Sequence, residues 1–292
     1  MEVPCPLFNS EETMVRIITD SAADFEPEEM ERMNVTCIPL TVIFGTTEYQ
    51  ENINLTKTAF YDLLRTTGEF PKTAQASPQV LTGLFKEAAA AGDEVIYITI
   101  SSGFSGTYQN AEMLRQKLNL PGTYVVDSEN GTGGQRMVVE YAVRLRDEGK
   151  TVAEIVAALE EMRKRVVLYA CMDTLEYLFK GGRISGVAYR VGSLAQIKPI
   201  LQVDDEGKLA IPAKVMGMKK GMAFMCEKVQ EMQPDSDFPF YVMYTDDRVN
   251  GLALAERIRA LGIEVPEERI INVGAAIGTH VGPKACGLVY VH

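Results

Sequence analysis

The sequence has few of the residues that form metal and redox centres. It contains two histidines, and because His292 is the last residue, His280 is the one histidine that a buried site could use. The five cysteines are widely separated, odd in number and without C-x-x-C spacing, which argues against a disulfide framework and a zinc site. We therefore expect no metal, no cofactor and a reducing, cytoplasmic environment.

Long hydrophobic runs and an excess of basic charge are also absent. No segment reaches the roughly 18 apolar residues of a membrane-spanning helix, and residues 1–12 do not resemble a signal peptide. Aspartate and glutamate total 40 against 29 lysines and arginines, a net charge of −11, which repels nucleic acids and anionic membranes. We expect no nucleic-acid partner and no stable membrane anchor, so any lipid must be held in a pocket.

The order of the apolar runs predicts two domains with different sheets. In the first half, β-rich runs alternate with helical patterns, which is typical of a parallel sheet covered on both faces. In the second half, a hairpin turn at 204–207 indicates antiparallel strands mixed with helices. The predicted fold class is α/β, with an N-terminal parallel-sheet α/β domain at 1–160 and a C-terminal α+β domain with a mixed or antiparallel sheet at 161–292.

Local patterns predict several elements near candidate sites. Residues 37–44 read as one strand. Ser77 and Pro78 have the order of an N-cap followed by the first helical residue, and Ser105 is expected to cap a helix at 108–118. Thr151 with Glu154 forms a capping-box pattern.

Polar turns carry the candidate ligand-binding residues. The turn 101–107 follows a predicted strand, and ligands of parallel sheets gather beyond the carboxyl ends of strands, where helix N-termini offer free N–H groups. The Ser105 hydroxyl and the nearby amides could therefore bind a carboxylate or phosphate. A serine that only caps its helix is the ordinary alternative, as is a water-bonded loop threonine for Thr73.

Two further residues lie in glycine-bearing segments. His280 is expected on a glycine-bounded loop (278–283), where a hydrogen-bonding role is more natural than metal binding. Arg183 follows Gly181 and Gly182, and is either a solvated turn residue or an arginine presented to an anionic group. The glycines at 131–134 are too few for a nucleotide-binding loop.

A serine hydrolase or acyltransferase that uses Ser105 and His280 is the main alternative. Its nucleophile elbow, G-x-S-x-G, requires glycine at the position of Thr107. A third hypothesis is an interaction protein without a pocket.

The motifs taken together resemble the DegV family of bacterial fatty-acid-binding proteins. The resemblance runs from about Val15 to the C-terminus and rests on five segments in order, which are 15–21, 71–78, 101–108, 178–185 and 278–283. It implies a long-chain fatty acid, such as palmitate, stearate or oleate, buried between the two domains. It also implies that Thr73 and Ser105 bind the lipid carboxylate with His280 nearby.

The same resemblance extends to neighbouring residues and to partners. We expect the turn residues Ser102, Gly106 and Thr107 to complete the ligand site. In better understood relatives a fatty-acid kinase phosphorylates the bound lipid, and an acyltransferase uses the acyl phosphate for phospholipid synthesis; Arg183 matches the arginine associated with the kinase. Three positions depart from the family pattern and are expected to affect ligand choice, namely Ala74, Ala76 and Lys284.

Overall fold

The computed structural model describes residues 14–186 and 196–292, so segment 1–12, expected not to be a signal peptide, lies outside the described residues. The described strands are β1 Val15–Asp20, β2 Val35–Ile38, β3 Thr41–Phe44, β4 Thr47–Gln50, β5 Lys72–Ala74, β6 Glu94–Thr99, β7 Thr123–Asp127, β8 Val166–Cys171, β9 Ile197–Val203, β10 Leu209–Met216, β11 Tyr241–Tyr244, β12 Ile270–Asn272 and β13 Cys286–Val291. The described helices are α1 Pro27–Met33, α2 Lys57–Thr67, α3 Pro78–Ala91, α4 Thr107–Leu118, α5 Thr132–Asp147, α6 Val152–Met162, α7 Glu176–Lys180, α8 Met218–Met232, α9 Val249–Arg259 and α10 Ala275–Val281.

The first half is built on a parallel sheet with the strand order β2-β1-β6-β7. Side chains of successive strand residues point to opposite faces, so Ile17 enters the core formed with α5 and α6, whereas Ile18 enters the core formed with α3. The capping box of Thr151 and Glu154 starts α6 as predicted. The predicted parallel sheet with helices on both faces is confirmed.

The second half is built on a six-stranded sheet with the order β10-β9-β8-β13-β11-β12. The pair β11–β12 is parallel and the other pairs are antiparallel, including the β9–β10 hairpin whose turn was predicted at 204–207. One face packs against α8 and α9. The other face packs against α5, since Leu168 and Val289 share a core with Val139. The mixed sheet of the predicted α+β half is confirmed.

A small third sheet, with the order β4-β3-β5, corrects the prediction of one strand at 37–44. The chain leaves the large parallel sheet at Pro39, which has no N–H group for a ladder. Buried Leu40 redirects it, because its N–H donates to Ser21 Oγ (2.9 Å) and its carbonyl accepts from Glu51 N (3.1 Å). Two short strands therefore replace the long one.

Two predictions near the candidate site were wrong. Ser105 is not an N-cap, because α4 begins at Thr107 with Gly106 in the cap position, and Ser105 Oγ accepts from the Thr107 amide (3.3 Å). His280 lies within α10 rather than on a loop. Gly278 serves close packing there, since a β-carbon would lie 2.7 Å from the Tyr61 hydroxyl.

The predicted boundary between 160 and 161 falls within α6, so these domain limits stay a proposal. Across the two described ranges, no helix has both the length and the apolar character needed to cross a bilayer.

Candidate ligand-binding site

A cavity of about 470 Å³ lies where the loops of the parallel sheet face the mixed sheet. This volume is within the roughly 300–1,000 Å³ of small-molecule sites. Most of its wall is apolar and comes from both halves of the chain, including Leu40, Ile100, Phe104, Leu168, Leu201 and Met243. A cavity of this size is incompatible with the hypothesis of a protein without a pocket.

Small residues on the mixed sheet leave room for part of this cavity. Ala170 on β8 and Gly287 on β13 are direct cross-strand partners, and both line the cavity. Residues paired across two strands share one face of a sheet. Larger side chains at these positions would occupy the space above the strands.

Thr73 and His280 form one polar part of the wall. Thr73 lies on β5, and its Oγ1 is 3.0 Å from His280 Nε2. Burial, with a smaller contribution from the Arg183 charge, lowers the pKa of His280 to about 3, so the imidazole is neutral at physiological pH. When its Nε2–H donates to Thr73, the threonine hydroxyl proton is free to donate into the cavity.

Among the described residues, the other ring nitrogen of His280 has no hydrogen-bond partner, and it lies against Gly181, where a β-carbon would overlap it. A catalytic histidine needs a group that orients the ring and accepts from this nitrogen. Ser105 also lines the cavity, but its Oγ bonds with Thr107 Oγ1 (2.9 Å). The hydroxyl and imidazole of the hypothetical hydrolase therefore form separate hydrogen bonds, and no carboxylate in the described ranges accepts from His280 Nδ1.

The turn 101–107 brings Ser105 and Gly106 to the cavity wall. Gly106 contacts the Gln75 side chain, which places this turn beside the strand that carries Thr73. Ser102 and Thr107 do not line the cavity. The Ser102 amide donates to the Asp127 carboxylate (3.2 Å), and buried Thr107 opens α4, so both residues shape the turn.

Arg183 is half-buried at the cavity wall. Its Nε donates to the Phe104 carbonyl (3.1 Å), and a second guanidinium nitrogen donates to the Gly181 carbonyl. Burial lowers its pKa, and no described carboxylate is near enough to raise it. The guanidinium is thus held by neutral carbonyls and keeps donors for an anion.

Sequence reasoning missed the contribution of residues 131 and 132. Both line the cavity at the start of α5, where Thr132 has a positive φ of 45° and donates to Asp24. A side chain at Gly131 would contact Phe104 and Ile277. The glycine run at 131–134 was the available signal, although its role is close packing rather than nucleotide binding.

Among the residues described, no group of histidine, cysteine, aspartate and glutamate side chains has the arrangement of a metal site.

The fold and cavity define the class, a two-domain α/β protein with a largely apolar ligand cavity between its sheets. A family model described as "Uncharacterised protein, DegV family" matches residues 14–292. The chain belongs to the DegV family.

Individual relatives are similar over nearly their whole length. A DegV domain-containing protein from Caldanaerobacter subterraneus subsp. tengcongensis is 33% identical over 279 residues, covering 94% of this chain and 98% of the relative. A DegV family protein from Thermus thermophilus, described by its fatty acid binding, has a solved structure with a TM-score of 0.85 and 29% identity, covering 96% of this chain and all of that one. The structure of DegV from Bacillus subtilis, described as a fatty acid binding protein, has a TM-score of 0.82 and 30% identity, covering 96% and 99%.

Proposed function

We propose that the protein binds one long-chain fatty acid, such as palmitate, stearate or oleate, in this cavity. The observation that carries the proposal is the composition of the wall, which is largely apolar, with neutral polar groups such as Thr73, Ser105 and His280 and with the Arg183 guanidinium held by backbone carbonyls. The fatty-acid-binding relatives from T. thermophilus and B. subtilis, at 29% and 30% identity, support it.

The acyl chain supplies most of the binding energy in this proposal. At about 0.8 kcal/mol per buried methylene, a chain of about sixteen carbons gains on the order of ten kcal/mol. The carboxylate must still keep hydrogen bonds when it leaves water. The hydroxyls of Thr73 and Ser105 donate these bonds without adding a charge.

Neutral donors also suit a carrier that presents its ligand to another enzyme. We infer that a fatty-acid kinase phosphorylates the bound carboxylate, and that an acyl-phosphate-utilising acyltransferase then receives the product for phospholipid synthesis. A carboxylate bound only by hydroxyls keeps an oxygen that can attack a phosphoryl group. Arg183, which forms no ion pair with described acids, would contact the phosphate or the kinase. The protein itself has a carrier role, and we place it in the cytoplasm, where the four described cysteines stay free.

The test of lipid binding is denaturing mass spectrometry of the protein purified from bacteria. We expect a co-purified acyl chain, and a higher melting temperature after palmitate or oleate is added to delipidated protein. Absence of lipid together with an unchanged melting temperature would refute the proposal.

A further inference from the structure

Two buried carboxylates hold the N-terminus of α10. Asp24 Oδ1 accepts from the Gly274 amide (2.8 Å), and Glu51 Oε1 accepts from the Ala276 amide (3.1 Å). These first amides of a helix have no partner inside the helix, and the helix dipole favours negative charge there. Neither acid lines the cavity, so each contacts the helix rather than the ligand space.

The second oxygen of each acid is bound by a hydroxyl from the first half of the chain. Ser21 Oγ donates to Glu51 Oε2 (2.6 Å), and Thr132 Oγ1 donates to Asp24 Oδ2. Ser21 is in turn fixed by the Leu40 amide, which donates to its Oγ. Glu51 therefore joins the helix to a rigid part of the first half.

The small sheet holds α10 at two points. Glu51 directly follows β4, and Thr73 lies on β5 of the same sheet. Ala276, which donates to Glu51, and His280, which bonds with Thr73, are four residues apart and share one face of the helix. Both line the cavity. If the N-terminus of α10 moved relative to Glu51, the His280 imidazole would therefore change its position relative to the Thr73 hydroxyl.

We propose that Glu51 is a positioning residue of the head-group site, which fixes α10 so that His280 stays within hydrogen-bond distance of Thr73. The proposal rests on the proposed function, since the head group is that of the fatty acid. It adds a residue that does not touch the ligand but sets the direction in which the Thr73 hydroxyl donates.

The packing around Gly274 shows how closely the acids approach the helix. A β-carbon at this position would overlap Glu51 Oε1 and lie 2.8 Å from Asp24 Oδ1. Burial, followed by the Asp24 charge, raises the pKa of Glu51 to about 7. The ionisable groups that face Glu51 from the surrounding elements are Asp24, Lys57, Cys37 and Tyr61.

The test compares Glu51→Ala and Glu51→Gln with Glu140→Ala. Glu140 is a half-buried acid, bonded to Arg136 (3.0 Å) and Tyr241 (2.8 Å) away from the cavity wall. Affinity is measured with the fluorescent fatty acid cis-parinaric acid, and the absence of tryptophan keeps the background low. The ring of His280 is followed by ¹⁵N NMR, where only His292 gives a second set of signals.

We expect Glu51→Ala to weaken binding about tenfold and to shift the His280 ring signals, because the Ala276 amide loses its acceptor. Glu51→Gln should stay within about twofold, since the amide oxygen accepts the same bond. Glu140→Ala should lower the melting temperature and leave the affinity and the His280 signals unchanged.

Glu51→Ala with wild-type affinity and unchanged His280 signals would overturn the proposal. If Glu51→Ala does not fold, Gly274→Ala is judged by the same two measurements, because its methyl group pushes the carboxylates from the helix. If the wild-type protein binds no fatty acid, the proposed function fails, whereas the His280 signals still decide whether Glu51 positions the ring.

Discussion

At the scale of single residues, the proposed head-group site contains two hydroxyls that are held by different hydrogen bonds. Thr73 is bonded to a neutral imidazole, and Ser105 to Thr107. We expect Thr73→Ala and Ser105→Ala each to weaken fatty-acid binding by about 1–3 kcal/mol, the cost of leaving a buried charged group short of a donor. Titration with cis-parinaric acid measures the change. Thr82→Ala, which removes an exposed helical hydroxyl bonded to the Pro78 carbonyl, is the matched control and should bind normally. Unchanged affinity in both site variants would remove these hydroxyls from the head-group site.

We expect Arg183 to act in the proposed delivery to a kinase rather than in ligand binding. Its guanidinium is held by backbone carbonyls at the cavity wall rather than by an acid, so its loss leaves no carboxylate unpaired. We expect Arg183→Ala to keep fatty-acid affinity within about twofold and to reduce kinase-dependent phosphorylation of the bound lipid about tenfold or more. Arg144→Ala, at an exposed arginine that stacks on Tyr141, is the control for general loss of charge. A large loss of lipid affinity in Arg183→Ala would contradict this division of roles.

At the scale of elements, the β9–β10 hairpin closes onto the turn that carries Ser105. Ser101 Oγ donates to the Gly207 carbonyl (2.6 Å). Gly207 has a φ of 69°, and a β-carbon there would lie 2.7 Å from Ser101 Oγ and 3.0 Å from the Glu129 backbone. A β-carbon at Gly149, where φ is 78°, would meet no other described residue within 4 Å, so this position offers the same backbone strain without the contact.

We therefore expect Gly207→Ala to lower the free energy of unfolding by at least about 1 kcal/mol more than Gly149→Ala. Urea unfolding followed by circular dichroism measures the difference. It should be accompanied by faster release of bound fatty acid, because the hairpin residues Val203 and Leu209 line the cavity. Equal losses in the two variants would show that the hairpin contact adds no stability.

The elements also show which parts of the fold were predictable. The start of α3 at Pro78 and the capping box that opens α6 depend on local pattern, and both were predicted. The break between β2 and β3 at Pro39 was not predicted, because it depends on the backbone hydrogen bonds of Leu40 with Ser21 and Glu51, which are distant in sequence. A prediction from local periodicity contains no information on such contacts.

The candidate site was predictable to a similar extent. Thr73, Ser105, His280 and Arg183 were selected from the sequence and the family resemblance, and the structure brings all four to one cavity wall. The bond between Thr73 and His280 joins residues 207 positions apart and had no local signal. The hydrogen bonds from the N-terminus of α10 to Asp24 and Glu51 were missed for the same reason, since buried acids cannot be told from surface acids in a sequence.

At the scale of the whole molecule, His280 and Glu51 make the free energy of unfolding depend on pH in opposite directions. His280 has a lowered pKa of about 3 in the folded protein. As pH falls below about 6.5, the unfolded chain binds a proton at this residue that the folded protein does not bind, so stability is lost. Glu51 has a raised pKa of about 7, so the folded protein keeps a proton that the unfolded chain loses above about 4.3. Its contribution is present at low pH and is lost as pH rises to about 7. Between these values the two effects partly cancel in the wild type.

Glu51→Gln separates these effects, because the amide cannot titrate. We expect the free energy of unfolding of the wild type, relative to Glu51→Gln, to fall by on the order of 2–3 kcal/mol between pH 4.5 and pH 7 and to stay level above pH 8. Urea denaturation at half-unit intervals of pH measures both proteins under the same conditions. Glu140→Gln, which removes a half-buried acid elsewhere, controls for the loss of any carboxyl group. A constant difference between wild type and Glu51→Gln over the whole range would mean that Glu51 has the same pKa in the folded and unfolded chain. The charge of Asp24 and the burial of the Glu51 carboxyl group would then have no net effect on its ionisation.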